Sequence, residues 1–259
     1  MLPAYVKEMR PAIAAIILAA GLGKRMRSSK AKVLHEIHGR PMVSYVVAVA
    51  QQIAGDAVIV VVGHQAPAVR GVVSQTAAAR YALQEQQMGT GHAVQCALPL
   101  LSADCEQVVV LCGDTPLLTV ETLQRLVADQ VASGRDATLV AVKLENPTGY
   151  GRVLLNAQSQ VCGIVEEADA SADQRAIRLI NSGIYCLRRS FLDEMLPRLS
   201  TDNAQKEFYL TDIIRLGYES GKTIGISYGA DPEEIMGVNT PQDLSRVEAL
   251  MARRNSINA

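Results

Sequence analysis

Two hydrophobic patterns alternate along the first half of the chain. Residues 12–19 and 57–62 are unbroken aliphatic runs, each followed closely by a glycine, which predicts strands buried on both faces. Between them, after Pro41, apolar residues recur at intervals of four, three and four, as in an amphipathic helix that Gly55 ends. These apolar positions are Met42, Val46, Val49 and Ile53. Strand, helix and strand in this order form a βαβ unit, which favours a parallel sheet.

The same alternation continues to residue 142 and then changes. Further strands are predicted at residues 80–83, 108–111 and 137–142, and helices at residues 91–101 and 120–133. After these, the short apolar runs 152–156 and 161–165 are separated only by the polar residues 157–159. Because that connection is too short for a helical crossover, it predicts a β-hairpin.

The last part of the chain returns to strands and helices. We expect strands at 184–187 and 223–227, and helices at 192–199, at 210–220 and from 241, where Leu244, Val247, Leu250 and Met251 share one face. Together the patterns predict an α/β fold with a Rossmann-like, mostly parallel sheet, flanking helices and a small inserted β-hairpin region. One domain is expected over residues 12–240, with the insertion at about 148–180, followed by a helix and tail at 241–259.

Composition and charge narrow the classes of function. The 259 residues carry a net charge of −1, which argues against nucleic acid or an anionic membrane as partner. The longest apolar run, residues 12–20, is much shorter than the about 20 residues that span a bilayer. Glu8 interrupts the basic segment before this run, which argues against a secretion signal. Five cysteines without a C-x-x-C pair are typical of reduced thiols in a cytoplasm.

Two segments at predicted strand ends carry candidate chemistry, since ligands of parallel α/β sheets collect beyond the carboxyl ends of the strands. The loop 18–26 contains two glycines followed by Lys24 and Arg25, a combination that fits either a phosphate-binding loop or an ordinary turn. It is neither a Walker A sequence nor a complete dinucleotide fingerprint. Asp114 follows another buried strand and fits either an Mg²⁺ ligand beside phosphates or a turn residue.

Eight short motifs then occur in a fixed order. They are LAAGxGxRM at 18–26, KVLH at 32–35, QxxQxGTGHA at 84–93, GDxPL at 113–117, TGYGR at 148–152, GIVE at 163–166, NSGI at 181–184 and GVN at 237–239. Their order and spacing resemble those of the sugar-phosphate nucleotidyltransferases. The QxxQxGTGHA motif makes the chain most similar to the uridylyltransferase domain of the bifunctional N-acetylglucosamine-1-phosphate uridylyltransferases, over residues 12–246.

The resemblance implies a reaction and a set of residues. The reaction is transfer of a uridylyl group from UTP to N-acetylglucosamine 1-phosphate, with Mg²⁺ held by Asp114 and Asn239. Arg25 and Lys32 are implied to meet the triphosphate and the phosphoryl group in transfer, forming the catalytic set with Asp114. The implied substrate-binding residues are Leu18, Ala19, Ala20, Gly21, Lys32, Gln84, Gly89, Thr90, Cys112, Gly113, Asp114, Gly151, Glu166, Asn181 and Asn239. Among them, residues 18–21, Gln84, Gly89 and Thr90 are implied to contact uridine, and Gly151, Glu166 and Asn181 the sugar, beneath the hairpin region.

Several of these side chains also fit a plainer role. Gln84 and Lys32 fit exposed polar positions, and Glu166 fits a solvated acidic turn. Asn181 fits a left-handed turn before a glycine. The histidines at 35 and 38 are three residues apart, which is not the H-E-x-x-H spacing of a zinc helix, so packing or hydrogen bonding is the favoured role for both.

The chain also departs from the family pattern. Ala31 stands where the family usually has proline before the lysine, which predicts a less rigid loop. Cys112 stands where relatives often have tyrosine, so no side-chain contact is assigned to it. The family's acetyltransferase domain and the trimer built by its β-helix lie beyond the helix at which this sequence stops, and neither is expected from these residues. Two alternatives stay open: another sugar 1-phosphate or dTTP as substrate, and a catalytically silent binding or regulatory module.

Overall fold

The computed structural model describes residues 12–228 and 230–257. Over these residues the strands are β1 (Ile13–Ala19), β2 (Glu36–Ile37), β3 (Arg40–Pro41), β4 (Val58–Val62), β5 (Arg80–Leu83), β6 (Gln107–Cys112), β7 (Ala137–Lys143), β8 (Arg152–Leu155), β9 (Val161–Val165), β10 (Leu179–Arg188) and β11 (Ile224–Ser227). The helices are α1 (Met42–Ala54), α2 (Ala66–Ser74), α3 (Thr90–Ala97), α4 (Val120–Ser133), α5 (Ala172–Arg175), α6 (Arg189–Met195), α7 (Asp212–Glu219) and α8 (Pro241–Ile257). Short 3-10 turns lie at Lys24–Met26, Lys32–Leu34, Leu98–Leu100 and Leu196–Arg198.

Nine strands of the described ranges form one sheet, in the order β11-β7-β10-β6-β1-β4-β5, to which β8 and β9 attach beside β10. The strands β6, β1, β4 and β5 are parallel neighbours, and β7 is parallel to β11. In contrast, β10 runs antiparallel to both β6 and β7. The remaining pair, β2 and β3, forms a separate ribbon. The predicted α/β fold with a mostly parallel sheet and flanking helices is confirmed.

Helices cover both faces of the sheet, and β1 shows why its sequence is apolar without interruption. Ala14 and Ile16 pack into one core cluster with side chains of α3, α6 and α7. Ala15 and Ile17 pack into a second cluster with α1, α2 and α4 on the opposite face. Because successive side chains of a strand point to opposite faces, a strand between two helical layers needs apolar residues at every position.

The predicted hairpin is present as β8 and β9, which pair antiparallel. The strand predicted at 184–187 begins earlier, at Leu179, and passes through a register shift between Asn181 and Tyr185. The intervening Asn-Ser-Gly sequence is typical of a turn, but β7 pairs with β10 on both sides of it. Tertiary pairing therefore overrides the local turn signal, and the polar residues form a bulge inside a strand.

Helices differ from the sequence patterns in several places. No helix was predicted at Ala66–Ser74, because Pro67 and Gly71 interrupt the pattern there. Pro67 lies in the first turn, where its missing N–H is not needed, and the buried Val69 and Val73 anchor the helix. The helices predicted at 91–101 and 192–199 end earlier, and a 3-10 turn that contains a proline follows each of them.

The predicted C-terminal helix is α8, and it packs on the molecule through one face. Val247 and Leu250 join a small cluster with Met26, Met42 and Val238. Two of these partners belong to motifs of the candidate site, since Met26 follows Arg25 and Val238 precedes Asn239. The helix is therefore joined to the same edge of the sheet as the glycine loop.

Three further expectations concern the surroundings of the protein. In the residues that the structure describes, no helix has the length and apolarity that a membrane crossing requires. All five cysteines are free thiols. The interpretation of Glu8 against a secretion signal, and the end of the predicted tail at 258–259, fall outside the described residues.

Candidate active site

The carboxyl ends of β1 and β6 lie side by side at one edge of the sheet. Leu18 is aligned with Cys112, and the Gly113 N–H donates a 2.9 Å hydrogen bond to the Leu18 carbonyl. This pairing places the glycine loop that follows β1 beside Asp114, which follows β6. The two segments that carried candidate chemistry are thus neighbours.

A cleft of about 480 Å³ opens at this edge, a size that suits a small-molecule ligand. Most of the residues that the sequence implied for substrate and metal line it: Leu18, Ala19, Ala20, Gly21, Arg25, Lys32, Gln84, Gly89, Thr90, Cys112, Asp114 and Asn239. They come from strand ends and loops spread over most of the chain. The fold therefore collects them into one concave surface.

Two basic side chains and two side-chain oxygens meet inside the cleft. The Lys32 ammonium pairs with Asp114 Oδ2 and donates a 3.1 Å hydrogen bond to Asn239 Oδ1. The Arg25 guanidinium donates to the same Asn239 Oδ1 at 2.8 Å. Positive charge thus lies beside the carboxylate of Asp114, which follows β6, and beside the amide oxygen of Asn239, which is an arrangement suited to anionic phosphates.

Backbone geometry brings Lys32 to this point. Lys32 begins a 3-10 turn whose next residues, Val33 and Leu34, are buried in the core. Gly23 lies directly against it with φ of +63°, and a side chain there would place a Cβ 2.5 Å from the Lys32 Cβ. Glycine is required at this position by both the left-handed backbone and the close approach. The glycine loop and the lysine loop are therefore packed as one unit.

Asn239 is fixed from two sides. The N–H of the preceding Val238 donates a 2.9 Å hydrogen bond to the Asp114 carbonyl, which ties the two oxygen donors together through the backbone. On the other side, Asp243 Oδ2 in the first turn of α8 accepts hydrogen bonds from the N–H groups of Asn239 and Thr240. The start of α8 therefore holds the amide in place.

The oxygens of Asp114 and Asn239 fit a divalent cation. They lie close enough to share the Lys32 ammonium, so a single positive charge already fits between them. Within residues 12–228 and 230–257, no group of three or more His, Cys, Asp or Glu side chains is arranged as a metal cage. A hard cation that takes one or two protein oxygens and fills its other positions with phosphate and water needs no such cage.

A buried amide also lines the cleft. Gln84 is only 3% exposed, and its Nε2 donates to the Gly89 carbonyl at 3.0 Å. Gly89 has φ of +104°, and a Cβ there would meet the Phe208 carbonyl at 2.6 Å. Thr90 Oγ1 accepts a 3.0 Å hydrogen bond from Leu210 N–H, which attaches the start of α3 to the segment before α7. Gln84 is therefore not the exposed polar residue of the plainer interpretation.

A second polar cluster lies beside the cleft, between the hairpin and β10. Glu166 accepts a 2.9 Å hydrogen bond from the Thr211 hydroxyl, and burial raises the pKa of its carboxyl above the ordinary value. Asn181 is buried and donates a 2.7 Å hydrogen bond to the Tyr185 hydroxyl. Gly151 faces Glu166 closely, since a Cβ there would lie 3.4 Å from its Oε2. The Asn181 N–H donates a 2.9 Å hydrogen bond to the Gly151 carbonyl, so the three residues implied for the sugar form one group.

Cys112 connects this group to the cleft. Its thiol lines the cleft and donates to the Gly183 carbonyl in the bulge of β10. Burial, and after it the charge of Asp114, raises the pKa of the Cys112 thiol to about 12, with Lys32 lowering it and Glu166 raising it. A raised pKa favours the protonated thiol over the nucleophilic thiolate at neutral pH.

Comparison with known proteins places this site in a family. The family profile described as "MobA-like NTP transferase domain" matches residues 15–202, which is more than half of the chain. The chain belongs to this family. The stretch matched includes the glycine loop, both basic residues, Asp114, Gln84 and the polar cluster of the hairpin.

Curated relatives of this NTP transferase domain extend the similarity beyond residue 202. The protein is 45% identical over 241 residues to "Bifunctional protein GlmU" of Trichlorobacter lovleyi, covering 93% of this chain and 52% of the relative. It is 46% identical over 242 residues to the same-named protein of Pelobacter propionicus, covering 93% and 53%. The resemblance to the uridylyltransferase domain of such proteins is confirmed. The chain spans about half the length of these relatives.

A solved structure supports the fold of the NTP transferase domain. It is a protein from Bacillus anthracis, assigned as a glucose-1-phosphate thymidylyltransferase and solved with sucrose. The two structures superpose with a TM-score of 0.72 at 18% identity, covering 92% of this chain and 95% of the other. At this identity the likeness concerns the fold.

The residues that line the cleft differ in part from those that the sequence implied. The cleft is lined in addition by Leu22, Gly23, Lys24, Val33, Gln87, Ala93 and Glu207. All but Glu207 lie in or beside the quoted motifs, whereas Glu207 has no motif around it and is brought to the cleft by the segment that contacts Gly89. Of the implied set, Gly151, Glu166 and Asn181 lie in the neighbouring cluster, and Gly113 contributes its backbone to the strand edge instead of lining the cleft.

Proposed function

We propose that this NTP transferase domain transfers a uridylyl group from UTP to N-acetylglucosamine 1-phosphate, giving UDP-N-acetylglucosamine and pyrophosphate. The observation that supports this most strongly is the meeting of Arg25, Lys32, Asp114 and Asn239 at the glycine loop. The identity of about 45% to proteins named GlmU favours the uridylyl group and the amino sugar.

The reaction needs charge control more than proton transfer. An oxygen of the sugar 1-phosphate forms a bond to the α-phosphorus of UTP, and the bond from that phosphorus to the bridging oxygen breaks, releasing pyrophosphate. The second pKa of a phosphate monoester is about 6, so the nucleophile is already ionised at neutral pH. No histidine or carboxylate base is required, and the protein has to align and neutralise two anions.

Arg25 and Lys32 supply that neutralisation in our proposal. Both are at the cleft wall beside the glycine loop, and both already hold oxygen atoms in hydrogen bonds. We assign to them the triphosphate and the phosphoryl group in transfer, whose charge grows in the transition state. Asp114 and Asn239 would hold Mg²⁺, which when bound supplies further positive charge to the phosphate oxygens.

The cleft and the polar cluster beside it suit the two ends of the product. The backbone of residues 18–21 with Gln84, Gly89 and Thr90 is assigned to uridine, because a buried amide and backbone groups discriminate a base edge by hydrogen bonding. Glu166, Asn181 and Gly151 are assigned to the sugar, since a carboxylate and an amide accept and donate to hydroxyls. This assignment places the sugar-binding residues within the insertion at 148–180 and directly after it, in one domain over residues 12–240.

The cellular setting follows from the same proposal. Five free thiols without a disulfide suit a reducing compartment, and we assign the protein to the cytoplasm. A near-neutral net charge supports small molecules as partners in preference to nucleic acid or membrane surfaces.

Pyrophosphate release tests the function. We expect release with UTP, N-acetylglucosamine 1-phosphate and Mg²⁺, and much slower release when dTTP or glucose 1-phosphate replaces a substrate. Asp114→Ala removes a metal ligand and is expected to abolish turnover, whereas Asp104→Ala, which lies outside the cleft, leaves it unchanged. Faster turnover with another sugar 1-phosphate or with dTTP would replace the proposed substrates, and no release from any pair would identify a silent module.

A further inference from the structure

The side chain of Gln65, which lies outside the cleft, is hydrogen-bonded to the loop that carries Lys32. Gln65 Oε1 accepts a 2.9 Å hydrogen bond from the Ala31 N–H, and Gln65 Nε2 donates a 2.8 Å hydrogen bond to the Ser29 carbonyl. Both polar ends of one carboxamide are thus used on two backbone groups of the same loop. Gln65 does not line the cleft, and none of the sequence motifs contains it.

The backbone of Gln65 holds an unusual conformation. Its φ is +53°, in the left-handed region that residues other than glycine, asparagine and aspartate rarely adopt, and it immediately precedes α2. This conformation carries a free-energy cost of about 1 kcal/mol or more. The helix that follows is anchored by the buried Val69 and Val73, so the residue is held by its surroundings. Such strain at a residue that contacts a functional loop points to a role for its side chain.

The residue that Gln65 holds by a hydrogen bond, Ala31, is the neighbour of Lys32 in the sequence. Ala31 is fully buried and precedes Lys32 directly, and its carbonyl accepts the Leu34 N–H that closes the 3-10 turn. Its N–H faces Gln65, so both backbone polar groups of Ala31 are fixed. From the other side, Gly23 packs on the Lys32 backbone. The Lys32 side chain therefore extends towards Asp114 from a backbone that is held by a turn, by a glycine and by Gln65.

We propose that Gln65 is a positioning residue, whose carboxamide fixes residues 29–31 so that the Lys32 ammonium is held at the phosphate-binding end of the cleft. The inference rests on the proposed function for the ligand of Lys32. Without the carboxamide, two backbone groups lose their partners and the loop samples more conformations, so that ordering it on ligand binding costs free energy. UTP affinity therefore falls. The loss cannot exceed the contribution that the Lys32 side chain makes to UTP binding.

A double-mutant cycle tests this directly. UTP affinity in the presence of Mg²⁺ is measured by calorimetry for the wild type, Gln65→Ala, Lys32→Ala and the double variant. Gln65→Ala is expected to weaken UTP binding by about 3- to 10-fold in the wild-type background and to have no further effect beside Lys32→Ala. Equal weakening in both backgrounds, or none in either, would overturn the inference.

Two more variants separate the carboxamide from the backbone. Gln65→Gly removes the side chain while suiting the positive φ, so it is expected to weaken UTP binding as Gln65→Ala does, although it lowers stability less. Retained affinity in Gln65→Gly would show that only the helix start matters and would contradict the inference. Gln75→Ala is the matched control, because Gln75 is an exposed glutamine at the other end of α2, and it is expected to leave affinity unchanged.

Amide exchange keeps the test independent of the ligand. The Ala31 N–H is expected to exchange at least about tenfold faster in Gln65→Ala than in the wild type, in protein without nucleotide. If the wild type binds no UTP, the proposed function fails, and the exchange rates still decide whether Gln65 holds the loop. An unchanged exchange rate of the Ala31 N–H in Gln65→Ala would show that the Gln65 carboxamide does not hold the loop.

Discussion

At the scale of single residues, the site is defined by where two oxygen atoms lie. Asp114 Oδ2 and Asn239 Oδ1 share the Lys32 ammonium, and Arg25 completes the group through Asn239. Charge–charge interactions of this kind weaken steeply when one partner is displaced or replaced by a neutral group. Single substitutions at these positions are therefore expected to affect the transition state more than the fold.

Arg25→Ala is expected to lower kcat by on the order of 10²-fold, because a donor to developing phosphate charge is lost. Steady-state kinetics with both substrates varied checks this. Arg178→Ala is the matched control, since Arg178 pairs with Glu145 at the surface, outside the cleft. A rise in KM with unchanged kcat would assign Arg25 to ground-state binding only.

Glu166→Gln is expected to stabilise the protein at neutral pH. Burial raises the pKa of the folded carboxyl above its ordinary value of 4.5, so the folded protein binds the proton more tightly than the unfolded chain. Stability therefore falls as the pH rises from the unfolded to the folded pKa, and a glutamine escapes this loss. Urea unfolding at pH 4 and pH 7 measures the free energy of unfolding of both proteins. Glu166→Gln should be more stable than the wild type at pH 7 and equally stable at pH 4.

The same Glu166 variant separates sugar binding from stability. If the carboxylate accepts sugar hydroxyls, Glu166→Gln raises the KM for the sugar phosphate and leaves the KM for UTP unchanged. Glu145→Gln serves as control, because Glu145 is largely exposed and pairs with Arg178 at the surface. A higher KM for UTP instead would move Glu166 to the nucleotide side.

At the scale of elements, local patterns predicted most strands and helices, and failed where distant pairing decided the outcome. The apolar runs of β1, β4 and β6 were recognisable because burial between two helical layers demands apolar residues throughout. The bulge at Asn181 was not, because its sequence is that of a turn and only β7 shows that the strand continues. Helix α2 was not predicted for a similar reason. Its helical pattern is weak in the sequence, and the helix is anchored by Val69 and Val73, which are buried in the core.

The first turn of α8 is hydrogen-bonded to the site residue Asn239 through Asp243. Asp243→Ala removes the acceptor for the Asn239 and Thr240 N–H groups, at a cost of about 1 kcal/mol. We expect a drop in Tm of about 2–4 °C together with weaker UTP binding in the presence of Mg²⁺. Thermal unfolding and calorimetry measure the two effects. Gln242→Ala, an exposed neighbour, should change neither, and a normal UTP affinity in Asp243→Ala would remove α8 from the site.

At the scale of the whole molecule, one sheet edge gathers residues from nearly the full length of the chain. Four parallel strands end there, their helices cover both faces, and α8 closes the structure against Met26 and Val238. We therefore expect activity to depend on the packing of α8, although none of its side chains over the described residues 241–254 lines the cleft.

Val247→Asp tests that dependence. Val247 is fully buried, so a carboxylate there is buried without a partner and is expected to lower the Tm by about 5–10 °C and to reduce turnover. Ala249→Asp makes the same chemical change on the exposed side of α8 and should be neutral. Differential scanning calorimetry and pyrophosphate release report both effects. Full activity in a destabilised Val247→Asp protein would show that the site is independent of α8.

The sequence alone determined the alternation of strands and helices, the buried character of the strands and the motif residues, because periodicity and turn chemistry act between near neighbours. It also named Asp114, Lys32 and Asn239, through resemblance. Only the tertiary structure decided that Asn239 meets Lys32 across 207 positions, that β10 runs antiparallel, and that Gln65 holds the lysine loop. Such contacts arise from strand pairing and core packing over long separations, which local patterns do not encode.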